Sequence, residues 1–181
     1  MSSPAHSGET ITIFKVEPRD ESGLVVMSPS QAPDGRLADR HSAYHENLSP
    51  PITWTEVEGA ECYALIVEDP DAPMEKPFVH WMIWNIPAEA GGLPEGVPQA
   101  QYIDPPHPII QGRNDADDYG WFGPRPPAGH GVHRYYFQVF ALDQHLEVGP
   151  DTPLHELLNI LKGHTIAQGE MMATYEAPRR Q

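Results

Sequence analysis

The longest unbroken apolar stretches of the chain, 63–67 and 81–84, have the length of strands. The segment 62–68 runs through Ala64, Leu65, Ile66 and Val67 without alternation, which predicts a strand covered on both faces. A second strong strand is predicted over 79–86. Its period of two puts His80, Met82, Trp84 and Ile86 on one face, and Trp81, Ile83 and Asn85 on the other. A third is predicted over 134–142, with Tyr135, Phe137, Val139 and Ala141 sharing a face. Weaker alternation predicts a first strand over 10–16 and a short one over 24–27. Another is predicted over 52–55, entered through the stiff Asn47-Leu48-Ser49-Pro50-Pro51. One helix is predicted near the C-terminal end, where Leu154, Leu157, Leu158 and Leu161 fall at i, i+3, i+4 and i+7. Thr152 is placed to cap it, Pro153 to open it and Gly163 to stop it. The segment 165–175 fits a strand or a helix, and the strand is preferred. The pattern as a whole predicts a mainly β chain.

Composition sharpens this picture. The chain has 21 prolines in 181 residues, more than twice the average share of about 5%. Proline is excluded from helix interiors and central strands, so long turns must separate short strands. The turn at Pro33-Asp34-Gly35 is one of them. The length falls within the about 100–200 residues typical of one domain. The expectation is therefore a flexible tail over 1–9 and a single domain over 10–181. A lone cysteine, Cys62, excludes an internal disulfide. No apolar run approaches the roughly 18 residues of a membrane span, and the first ten residues lack the basic and apolar regions of a leader. A cytoplasmic protein is expected. The net charge of −15 disfavours nucleic acid, whose binding requires Lys and Arg to neutralise phosphates. It leaves room for one local anion site.

Two patches carry candidate chemistry. In Asp69-Pro70-Asp71-Ala72-Pro73, two carboxylates leave a buried strand where prolines fix the backbone, and Pro77-Phe78-Val79-His80-Trp81 follows with a histidine opening the next strand. In the second patch, Gly123-Pro124-Arg125-Pro126-Pro127-Ala128-Gly129-His130-Gly131 runs into a strand that begins at His133. His133 and Tyr135 are two apart and face the same way. Read alone, such Asp-Pro and Gly-Pro strings are ordinary turns, and Tyr135 is equally a core residue. Their co-occurrence gives them weight.

These blocks, together with Asn47-Leu48-Ser49-Pro50-Pro51-Ile52-Thr53-Trp54, resemble the phosphatidylethanolamine-binding protein family, in its bacterial Raf-kinase-inhibitor-like branch. Asn85-Ile86-Pro87-Ala88, Gly92-Leu93-Pro94-Glu95-Gly96 and Gly112-Arg113-Asn114-Asp115 strengthen the likeness, which spans about 10–175. The resemblance implies a β-sandwich of a large and a small antiparallel sheet with a few peripheral helices. It also implies a pocket for phosphate or a phospholipid head group, such as a phosphoethanolamine-type molecule. Its ligand-binding residues here would be Asp69, Asp71, His80, Pro127, Gly131, His133 and Tyr135. No cofactor and no catalytic residue are implied. Members of this branch often form homodimers, and a homodimer is expected; no protein partner is identified. Two departures stand out. Arg125 occupies a place where relatives commonly carry a small residue or cysteine, and the stretch Asp115–Asp118 is unusually acidic.

Two aspartates in an anion site need an explanation. A carboxylate within about 4–6 Å of an imidazole favours its charged form. Asp69 or Asp71 would then hold His80 or His133 protonated, with the Tyr135 hydroxyl as a further donor. The rival enzymatic reading is a metal-dependent or other hydrolase built on Asp69, Asp71, His80 and His133, with the His130-x-x-His133 spacing as a ligand pair. It is weakened by the lack of helical same-face geometry. A serine nucleophile has no Gly-x-Ser-x-Gly turn to present it. A third reading, a protein-interaction module, would use the exposed segments 41–45 and 115–118.

Overall fold

A computed structural model describes residues 10–105 and 107–178; the tail expected over 1–9 lies outside them. The described chain forms two antiparallel sheets. The large one has the order β6-β7-β4-β3-β8-β9 and the small one β1-β2-β5. The strands are β1 (Val26–Met27), β2 (Ile52–Trp54), β3 (Cys62–Asp69), β4 (Phe78–Pro87), β5 (Gly92–Leu93), β6 (Tyr102–Ile103), β7 (Ile109–Gln111), β8 (His133–Leu142) and β9 (Thr165–Tyr175). Among the described residues a single helix, α1 (Leu154–His164), completes the regular elements apart from short 3-10 turns.

The unbroken apolar run of β3 has a direct cause. It lies between β4 and β8, and both faces of the large sheet are covered. Tyr63, Leu65 and Val67 join Ile52, Trp54, Trp81 and Phe137 in the core between the sheets. Ala64 and Ile66 join Trp84, Phe140, Leu157 and Leu161 in a second core beneath α1 and the N-terminal segment. β9 is a strand, paired with β8 along its length.

Strict alternation along β4 fails at both ends, and the reason is local. Val67 pairs with Trp81 while Glu68 pairs with Val79, so His80 is the extra residue of a β-bulge. Val79 and Met82 therefore share the outer core, and His80 turns away from Met82 towards Tyr135. A second irregularity, between Tyr63 and Leu65 of β3, lies opposite Asn85, which has φ +60°. It moves Ile86 to the face of Trp81 and Ile83.

The expected strand over 10–16 is instead a 3-10 turn, Thr12–Lys15. Ile11 and Ile13 are buried, but so are Thr12 and Val16, against the alternation, and the backbone finds side-chain partners rather than a ladder. Thr12 N donates to Glu68 Oε1 at 2.8 Å, and Ile13 N to Gln138 Oε1 at 2.7 Å. The helix ends also differ from expectation. Thr152 Oγ1 donates to Gly149 O instead of capping, Pro153 stands at the N-cap, and Gly163 lies inside the last turn. Thr165 closes the helix by donating from Oγ1 to Leu161 O at 2.7 Å.

Candidate functional site

Asp69 ends β3 on the same face as Val67, and His133 and Tyr135 begin β8 beside it. The bulge sends His80 of β4 to the same place. These four residues, with Pro127, line one hollow of about 280 Å³. Its other walls are Ala72, Pro73, Met74, Phe78, Phe122, Arg125 and Pro126. The two sequence patches therefore meet in space, as the reading of the site required.

The polar groups are held firmly. Asp69 Oδ1 accepts the Asp71 backbone N–H at 2.7 Å, and its Oδ2 is 2.7 Å from His133 Nδ1. Both side chains are almost fully buried, 3% and 2% exposed. A carboxylate accepts, so His133 Nδ1 carries the proton and Nε2 is the ring atom left for other partners. That atom lies 2.6 Å from Nδ1 of His130, on the exposed Gly129–Gly131 turn. The Tyr135 hydroxyl is buried and makes no hydrogen bond among the described residues. Burial, reinforced by the charges of Asp69 and Asp71, pushes this phenol above its ordinary range. It remains a neutral O–H.

His80 is not the imidazolium that an acidic corner was expected to create. Its ring is buried against Phe122, centroid to centroid 5.8 Å, and meets Tyr135 edge-on at 5.1 Å. Burial pushes its pKa down to about 4, against smaller opposing pulls from the Phe122 carbonyl and Asp69. Nδ1 donates to Phe122 O at 2.6 Å, so the neutral ring keeps an acceptor at Nε2.

Asp71 has a different task from Asp69. It does not line the hollow. Its Oδ2 accepts Arg134 N and Nε at 2.9 and 2.8 Å, and its Oδ1 accepts Arg134 Nη2 at 2.7 Å. Burial pushes this carboxyl up, but the Arg134 donors and charge outweigh burial and hold it below the usual carboxylate range. Gly131 also stays off the walls of the hollow, being part of the turn that carries His130. Of the residues expected to bind ligand, the structure gathers Asp69, His80, Pro127, His133 and Tyr135, and leaves Asp71 and Gly131 outside.

The aromatic walls Phe78 and Phe122 were not singled out from sequence, although each sits within or beside a quoted patch. Arg125 stands at the hollow as its position in the loop implied. Its guanidinium carbon lies 5.6 Å from the Tyr44 ring centroid, and the Tyr44 hydroxyl donates to Pro126 O at 2.6 Å. Both Asp71 oxygens are taken by Arg134, and among the described residues no group of three or more His, Cys, Asp or Glu is arranged to hold an ion.

A two-sheet β protein whose central strands deliver a buried Asp–His pair, a second histidine and a tyrosine to one hollow defines a small-ligand-binding class of fold. The chain belongs to the phosphatidylethanolamine-binding protein family, whose model matches residues 27–176. It is 41% identical over 142 residues to a UPF0098 protein of Methanothermobacter thermautotrophicus, covering 78% of this chain and 91% of that one. Among solved structures it is similar to Escherichia coli YbcL, described as a member of the mammalian family. That likeness has a TM-score of 0.78 and 31% identity, over 86% of this chain and 99% of YbcL. Chlamydia trachomatis CT736, described as a homologue of the family, gives 0.76 and 30% over the same shares. Among the described residues no helix is long and apolar enough to cross a membrane.

Proposed function

We propose that the hollow binds a small phosphate-like oxyanion, free or as the head group of a phospholipid, and that the protein works by binding rather than by turnover. The observation that carries this reading is the Tyr135 hydroxyl. A buried hydroxyl without a partner costs about 1–3 kcal/mol, and Tyr135 is among the residues that line the hollow with His80 and His133. An oxyanion would accept from it. Arg125 adds a cation at the same hollow, where a chain of net charge −15 otherwise repels anions. The apolar walls Met74, Phe78 and Phe122 leave room for more than a bare ion. The Asp69–His133 pair supports the reading by fixing one imidazole in place at the hollow.

Titration calorimetry with inorganic phosphate and with phosphoethanolamine tests the reading. Tyr135→Phe is expected to weaken binding of both by about tenfold, as loss of one hydrogen bond to a charged group does. Equal affinities for the variant and the parent would refute it. Turnover of p-nitrophenyl phosphate above the buffer rate would favour the hydrolase reading instead. The homodimer and the cytoplasmic setting belong to the same proposal, and sedimentation equilibrium and cell fractionation check them.

A further inference from the structure

His133 has two ring nitrogens. Nδ1 is committed to Asp69 at 2.7 Å, so a ligand in the hollow can meet this residue only through Nε2. That nitrogen is already held, 2.6 Å from His130 Nδ1. Two nitrogens at this separation share one proton. Either His130 donates to His133, or His133 donates to His130. In both arrangements His133 has nothing left to offer an anion. We infer that His130 is an internal competitor for the anion's place on His133, and that an oxyanion ligand binds by displacing it. The inference rests on the anion-binding reading of the hollow and adds to it a residue that must leave.

The surroundings of His130 fit such a part. His133 is fixed, 2% exposed on its strand, whereas His130 is exposed on a turn outside the strand. Gly129 and Gly131 flank it with φ +80° and +90°, and a Cβ at either would meet nothing within 4 Å. These positive φ values suit glycine, and the open space lets the turn change shape without disturbing β8. The turn is closed by a backbone bond from His130 N to Pro127 O at 3.0 Å, and Pro127 is itself a wall of the hollow. Displacement of His130 and contact of a ligand with Pro127 are thereby linked. When the imidazole swings out, His133 Nε2 is released to the ligand while Asp69 retains Nδ1–H: where His133 held the shared proton its Nε2–H donates to an oxyanion oxygen, and where His130 held it the bare Nε2 accepts from the P–OH of hydrogen phosphate. No bond other than hydrogen bonds is made or broken.

The experiment uses the full chain uniformly labelled with 15N, inorganic phosphate as the probe, and the His130→Ala variant alongside the parent. Without phosphate, a scalar coupling across the N–H···N bond should connect His130 and His133. Saturating phosphate should abolish it while shifting the signals of Phe122 and Tyr135. His130→Ala should bind phosphate about three- to tenfold more tightly, the range that removal of one competing hydrogen bond supplies. Phosphate that binds the parent too weakly to detect but binds His130→Ala also supports the inference. If phosphate shifts Phe122 and Tyr135 with the coupling intact, the inference is overturned while the binding site stands. The same follows if His130→Ala binds no better or worse than the parent. If phosphate moves no signal of the hollow in either protein, the site reading fails and the competitor role falls with it.

Discussion

Replacing Asp71 with alanine removes one carboxylate and strands three donors. Arg134 N, Nε and Nη2 all point at it, at 2.9, 2.8 and 2.7 Å. The Asp71 side chain is 8% exposed and the Arg134 side chain 23%. Breaking a fully buried ion pair by removing one partner costs about 3–5 kcal/mol. Because Arg134 keeps some contact with water, the lower end applies, about 3 kcal/mol. For a chain of this size each kcal/mol moves Tm by roughly 2–4 °C, so Asp71→Ala should melt roughly 6–12 °C below the parent at pH 7. Asp71→Asn keeps an acceptor oxygen and should fall in between. The sign with pH follows from the carboxyl being held below its ordinary range. Its contribution is fully present above the unfolded pKa of about 4 and is lost as pH falls through the lower folded value. The parent and Asp71→Ala should therefore converge in strong acid. Differential scanning calorimetry across pH checks both points. An Asp71→Ala variant melting within about 2 °C of the parent at pH 7 would refute the assignment of Asp71 as a structural clamp.

Other outcomes follow from the same geometry. His80 has a folded pKa depressed to about 4, so the unfolded chain binds its proton first. Stability should be full above about pH 6.5 and fall by on the order of 3 kcal/mol between there and pH 4. His80→Gln should flatten this slope in denaturant titrations, and an unchanged slope would contradict a neutral buried ring. Without ligand, Tyr135→Phe should be at least as stable as the parent, with a gain of about 1 kcal/mol, since it removes an unpartnered buried hydroxyl. A clear loss in thermal melts would mean that the hydroxyl has a partner. A Cβ at Gly123 would sit 2.0 Å from the His41 carbonyl oxygen. Gly123→Ala should therefore displace the wall that carries Phe122 and Arg125 and weaken phosphate binding along with stability; wild-type behaviour in both would count against that packing.

How far the sequence reaches can be judged residue by residue. The unbroken run through Ala64–Val67 announced a strand sealed on both faces, because burial on two sides leaves no polar positions for a solvent face. His133 and Tyr135 could be placed on one face because strand geometry forces it. The place of His80 in the hollow came from the family resemblance alone; the strand period put it on the face of Met82. Its turn away from that face depends on a bulge, which is a mismatch between two paired strands and leaves no mark in either one alone. The alternation at 10–16 misled on both burial and backbone, since Thr12 and Val16 are buried alongside Ile11 and Ile13 and the segment is a 3-10 turn. Glu68 and Gln138, distant in sequence, capture the amides that a neighbouring strand would otherwise have bonded. The two aspartates of one motif looked alike in sequence. Only the pairing of β3 with β8 decides that Asp69 meets an imidazole and Asp71 a guanidinium.

The central claim is that an oxyanion sits against the Tyr135 hydroxyl in this hollow. Crystals grown free of phosphate and then soaked in phosphoethanolamine test it most directly. The account predicts phosphate density within about 3 Å of Tyr135 Oη, with His130 moved off His133. Density confined to surface lysines or lattice contacts, with the hollow holding water alone, would contradict it.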